Sequence, residues 1–124
     1  MYNFLIILNS KGGKMTVARI TTLNFKSKEG ADQVEETYKN SAPTEFAEAE
    51  QLLEVRVNDT TLMFVSLYVD NDAMERASAA RTKRMDLNKE LIDSIEGKNY
   101  VRFCYSYPQK DVIKGIKKLN SIFL

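Results

Sequence analysis

"LLEVRVNDTTLMFVSLYVDNDAMERAS", residues 52 to 78, decides the fold. Two β-rich runs, 52–57 and 61–69, flank the short polar turn "NDT", the pattern of an antiparallel hairpin. The second run ends in Asp70, which leads into a helix cap, and Asp72 with Glu75 has the spacing of a capping box. The centre of the chain therefore reads strand, strand, helix.

Upstream, "TVARITTLNF" (16–25) alternates and is rich in β-branched residues, so it is a strand. "SKEGADQVEETYKN" (27–40) follows as a helix, with Ser27 as N-cap and acidic residues in its early turns. Pro43 is expected to break that helix and Thr44 to cap a short second segment. Downstream, the helix begun at Asp70 is expected to run to Gly97 at its C-cap, with Met74, Ala77, Arg81, Met85, Leu91, Ile92 and Ile95 near one face. "KNYVRFCYSY" (98–107) is the fourth strand, closed by Pro108. The order is βαββαβ, an α+β, ferredoxin-like arrangement: an antiparallel four-stranded sheet with two helices on one face. It assigns residues 15–108 to one domain, 1–14 to an N-terminal extension able to add a strand, and 109–124 to an amphipathic basic tail.

"FLIILNSKGGKMT" (4–16) resembles a phosphate-binding loop but fails it. The upstream glycine is missing, Met15 separates Lys14 from Thr16, and a strand rather than a helix follows. The apolar run Phe4–Leu8 is too short to span a membrane and lacks the flanks of a signal peptide.

The 124 residues contain no histidine and one cysteine, Cys104. A histidine-dependent nucleophile, a histidine-ligated zinc or haem and a thiolate cluster are excluded, so neither metal nor cofactor is expected. The lone cysteine fits a reducing compartment, with the cytoplasm as the simplest, and reads as inert and buried. Lys and Arg number 18 against 17 Asp and Glu, unevenly spread. From Glu29 to Glu54 there are eight acidic residues and one lysine, and from Lys98 to Leu124 six basic and one acidic. The acidic block argues against nucleic acid, and complementary self-association accounts for the split as well. Docking of the lysine-rich tail on a partner subunit is simpler than stable membrane association.

Strand parity divides Met63, Val65, Leu67 and Val69 from Phe64, Ser66, Tyr68 and Asp70. The first set, with Leu53, Val55, Val57 and Val101, Phe103, Tyr105, is the natural floor for the helices. Matching the arginines then puts Arg19, Arg56 and Arg102, with Phe64, Ser66, Tyr68 and Tyr100, on the opposite face. So large an exposed patch marks a contact, and two such faces packed in a homodimer would bury it.

The order of elements and the phrases "TVARITTLNFKSKEG" (16–30) and residues 52–78 resemble the dimeric α+β barrel superfamily, whose best-known branch is the antibiotic-biosynthesis monooxygenase domain. The resemblance covers roughly residues 15 to 107. It implies a homodimer whose sheets form a barrel, with a small-molecule pocket between each sheet and its helices or at the barrel mouth. It also implies a range of roles, from cofactor-independent oxygenases and isomerases to domains with no known activity. The Asn-Trp-His set of the haem-degrading branch has no counterpart here.

Candidate ligand-binding residues are Arg19, Arg56, Phe64, Ser66, Tyr68, Tyr100 and Arg102. Guanidinium offers a planar donor fork for a carboxylate, phosphate or enolate, and a tyrosine beside it can donate to a substrate oxygen. The plainer reading pairs each arginine with Glu54, Asp70 or a partner carboxylate and leaves the tyrosines as interface packing. Arg81 and Arg84 read as a solvated helix face. Two functions remain open: a small-molecule-binding domain, acting as a cofactor-independent monooxygenase or isomerase on an aromatic or enolisable acid, and a non-catalytic homodimeric interaction module.

Overall fold

A computed structural model describes residues Thr16–Cys104, of which Thr16–Phe103 form one compact unit. The expectations for residues 1–14, Tyr105 and the 109–124 tail lie outside the described residues. In chain order the elements are β1 (Val17–Phe25), α1 (Lys28–Glu45), β2 (Gln51–Asn58), β3 (Thr61–Tyr68), α2 (Asn71–Arg76), α3 (Ser78–Asn88), a 3-10 turn (Lys89–Leu91) and β4 (Ile92–Arg102). The sheet is antiparallel in the order β2-β3-β1-β4, the ferredoxin-like topology. No helix among the described residues is long and apolar enough to cross a membrane.

α1 starts where Ser27 Oγ accepts the Gly30 N–H at 3.0 Å. Its buried Ala31, Val34, Tyr38 and Ala42 recur at helical spacing and lie against the sheet. Pro43 does not break it. The exposed proline sits in the last turn, and the chain stays helical through Glu45, with the Phe46 N–H closing on the Ala42 carbonyl at 2.8 Å. A proline so near the end forfeits a single helical hydrogen bond, so Thr44 caps nothing. The β2–β3 hairpin turns through Asp59 and Thr60, held by the Thr60 N–H donating to Asn58 Oδ1 at 2.9 Å.

The expected helix over 70–97 is instead two helices and half a strand. Asp70 is the N-cap of α2, its carboxylate accepting the Ala73 N–H at 2.9 Å, so Asp72 lies in the first turn and makes no capping box. The helix breaks at Ala77, restarts as α3 and ends at Asn88. Ile92–Gly97 then pair with Thr21–Phe25, Gly97 lying opposite Thr21 rather than at a C-cap. Leu91, Ile92 and Ile95 satisfy either period, and the free edge of β1 decides between them. Were 92–97 helical, that half of β1 would leave a row of peptide groups unpaired.

The two sheet faces are the reverse of those expected. Leu23, Phe25, Leu62, Phe64 and Tyr68 lie in the core beneath the helices. By parity Met63, Val65 and Leu67 share the outer face with Ile20, Leu53, Val55 and Val57, the last three 42%, 46% and 51% exposed. The arginines do share a face, but it is the helix-covered one. Aromatic rings carry the larger apolar area and so take the side where α1 offers Val34 and Tyr38 as partners. On the outer side Thr61 Oγ1 donates to Asn24 Oδ1 at 2.9 Å and Asn24 Nδ2 donates to Ser94 Oγ at 3.0 Å, a polar link across β3, β1 and β4 that fixes their register.

Candidate functional site

Between the helix-covered face of the sheet and helices α1 and α3 lies a cavity of about 40 Å³. β1 contributes Arg19, Thr21 and Leu23, β3 contributes Phe64, Ser66 and Tyr68, α1 contributes Val34 and Tyr38, and α3 contributes Arg81, Arg84 and Met85. Four of the seven residues singled out in the sequence, Arg19, Phe64, Ser66 and Tyr68, therefore meet here.

Arg19 is only 6% exposed. Its Nε donates to Asn99 Oδ1 at 3.1 Å and a terminal nitrogen donates to Ser78 Oγ at 3.3 Å. Asn99 reaches it through an irregularity in β4. The register with β1 shifts between Ala18 and Ile20, and Tyr100 takes a positive φ of 59°. Such a bulge re-aims a side chain that regular alternation would send elsewhere.

Arg81 lies across the cavity from β1, donating from a terminal nitrogen to Thr21 Oγ1 at 3.4 Å. Its pKa is lowered by burial first and by the Arg19 charge second. Neither Arg19 nor Arg81 pairs with a carboxylate among the described residues. The pairing with Glu54 or Asp70 that the sequence suggested is absent from Arg19. Tyr68 is 1% exposed, and its phenol is held above the ordinary value by burial, a rise opposed by Arg19 and by a hydrogen bond with Ser66.

Arg84 is structural. Its guanidinium contacts Glu45 at 2.8 Å and Ser41, and its carbon centre lies 5.1 Å from the Tyr38 ring centroid. Tyr38 meets Phe64 with centroids 4.6 Å apart and ring planes tilted by 59°, and burial pushes its phenol up to about 12. Neither Arg81 nor Arg84 forms the solvated face expected of them, because α3 lies over the cavity.

Arg56, Tyr100 and Arg102 do not line the cavity. Arg56 ties β2 to α1 through Asp32 and Glu35, each at 3.0 Å, and caps the hairpin through the Asn58 and Asp59 carbonyls. Arg102 is exposed opposite Val17, and Cys104, expected to be buried, is exposed. Glu54, beside Phe64 at the β2 edge, has its carboxyl pushed up to about 7 by burial and then by Glu35. Its Oε2 is buried without a hydrogen-bond partner among the described residues.

Arg81 and Asn99 belong to the candidate site, and the sequence does not single them out. Arg81 is visible there only as a charge on an otherwise packing helical face. Asn99 gives no signal, since a bulge breaks the period on which face assignment depends.

No family model matches the chain, and no curated protein matches it. Among solved structures it is similar to a dimeric ferredoxin-like protein from an uncultured marine organism, with 8% identity over 77% of this chain and 93% of that one and a TM-score of 0.61. A protein of unknown function from Nitrosomonas europaea gives 14% identity, 78% and 97% coverage and a TM-score of 0.62. An asparagine-to-alanine variant of SnoaB, a cofactor-independent oxygenase from Streptomyces nogalater, gives 18% identity, 75% and 95% coverage and a TM-score of 0.54. At such identities the likeness is one of fold, and it is the fold expected of a dimeric α+β barrel domain.

Proposed function

We propose that this chain is a homodimeric small-molecule-binding domain of the dimeric α+β barrel type, acting without a cofactor as a monooxygenase or isomerase on an aromatic or enolisable acid. The observation that carries this reading is the burial of Arg19 and Tyr68 around one cavity under the helices. A guanidinium with no carboxylate partner is costly to bury unless something anionic joins it, and a neutral phenol beside it can donate to a developing oxyanion. Three neighbours in fold, one described as dimeric and one as a cofactor-independent oxygenase, make the same chemistry a reasonable use of this scaffold. Dimerisation is assigned to the outer sheet face, where Leu53, Val55 and Val57 stand exposed in a row. A single cysteine suits a reducing compartment such as the cytoplasm.

The test is oxygen uptake and α-proton exchange by the chelator-treated protein with a panel of hydroxyaryl and β-keto acids, repeated with Tyr68→Phe. Turnover that survives chelation and falls at least tenfold in the variant supports the assignment. Absence of both reactions with every acid sinks it and favours a non-catalytic interaction module.

A further inference from the structure

We infer that Arg19 and Arg81 together form the site of an anionic ligand that presents a carboxylate with a second oxygen beside it, the chemistry of 2-hydroxyaryl and β-keto acids. The inference rests on the pocket reading above and specifies what that pocket holds.

Arg56, Arg76 and Arg84 each contact a carboxylate at 3.0, 2.7 and 2.8 Å. Arg19 and Arg81 contact none among the described residues, although Arg19 is buried and Arg81 half-buried. Two like charges facing one cavity repel each other and lose hydration, an arrangement that a shared counter-anion resolves. The donor count points the same way. Arg19 spends Nε on Asn99 and one terminal nitrogen on Ser78, and Arg81 spends one terminal nitrogen on Thr21. The remaining guanidinium N–H groups exceed what a single carboxylate accepts, so an adjoining hydroxyl or keto oxygen completes the set. Tyr68 and Ser66 add hydroxyls at the same end, while Leu23, Tyr38 and Phe64 supply an apolar remainder suited to a ring or short chain. The free volume of about 40 Å³ takes the oxygen head group. A bulkier body requires a lining side chain to move, and Met85, an unbranched thioether, is the adaptable one.

The experiment is titration calorimetry of the full chain in low-salt buffer below neutral pH, with salicylate and its uncharged analogue salicylamide, on wild type and Arg81→Gln. Salicylate is expected to bind at least tenfold more tightly than salicylamide, and Arg81→Gln to remove that preference. Thermal unfolding of wild type reads the same preference without a variant, since salicylate is expected to raise Tm and salicylamide to leave it unchanged. Equal binding of the two, or a preference that persists in Arg81→Gln, overturns the anion site while leaving a small-molecule pocket in place. Failure of both to bind at millimolar concentration overturns the site and the pocket together.

Discussion

Asn99 holds Arg19 by its Nε, at 3.1 Å, across an interruption in the β1–β4 pairing that Tyr100 makes at φ 59°. The contact sets the plane of a guanidinium whose other hydrogen bond among the described residues is to Ser78 at 3.3 Å. Asn99→Asp would give Arg19 the carboxylate it lacks. The expected result is a more stable protein, by ~1–3 kcal/mol in urea unfolding, with weakened uptake of any anionic ligand, because the new side chain competes for the same fork. A loss of stability would show that Arg19 already has its counter-charge.

Tyr100 is 44% exposed and stands in the left-handed region, where a side chain costs roughly 1–2 kcal/mol. Little packing is lost on truncation. Tyr100→Gly is therefore expected to match or exceed wild type by up to about 1 kcal/mol despite the added unfolded-state entropy, and Tyr100→Val to fall below it. The midpoints of denaturant curves at equal slope check that order.

Glu54 has a folded-state carboxyl raised to about 7 from an ordinary 4.5, chiefly by burial. The fold favours its neutral form, so this group's contribution is fully present below the unfolded value and is lost as pH rises through about 7. Allowing for solvent screening at a partly exposed site, the loss is ~1–2 kcal/mol. Glu54→Gln is expected to flatten the stability profile between mildly acidic and neutral pH and to be the more stable protein above it. Asp32 and Glu48, both lowered by hydrogen bonds to basic partners, act in the opposite sense and set the decline at lower pH.

Val55 stands at 46% exposure between Leu53 and Val57. Val55→Glu is expected to convert a dimer to a monomer in light scattering while leaving the circular dichroism spectrum intact, since no core contact is removed. A dimer that persists would move the interface off this face.

Much of the fold is legible in the sequence because it rests on local chemistry. Ser27 caps where its side chain says it does, Asn58 turns the hairpin, and the second helix starts within two residues of its expected cap, at Asp70 rather than Asp72. The faces are not legible. Aliphatic Leu53, Val55 and Val57 look more apolar than a row carrying Glu54 and Arg56, yet the latter pair lies beside α1, where Asp32 and Glu35 take up the arginine. The site is half visible for the same reason: strand parity groups Arg19, Ser66 and Tyr68 correctly, but on a surface rather than in a cavity. The end of α3 depends on the unpaired edge of β1, a long-range demand that no window around Leu91 contains.

The break at Ala77 leaves α3 with no side-chain N-cap and no fully buried residue, although it covers the Arg19–Tyr68 cavity. Its polar ties to α1 all pass through one side chain, Arg84, which meets Glu45, Ser41 and the Tyr38 ring. Among the described residues this segment is expected to exchange its amides before those of β1 and β3. The wall over the cavity is thus expected to open before the sheet beneath it, which makes local melting of α3 a route of entry. Ligand occupancy should accordingly be readable as slowed deuterium uptake along residues 78–88, beside the slowing of the sheet amides that a raised global stability brings.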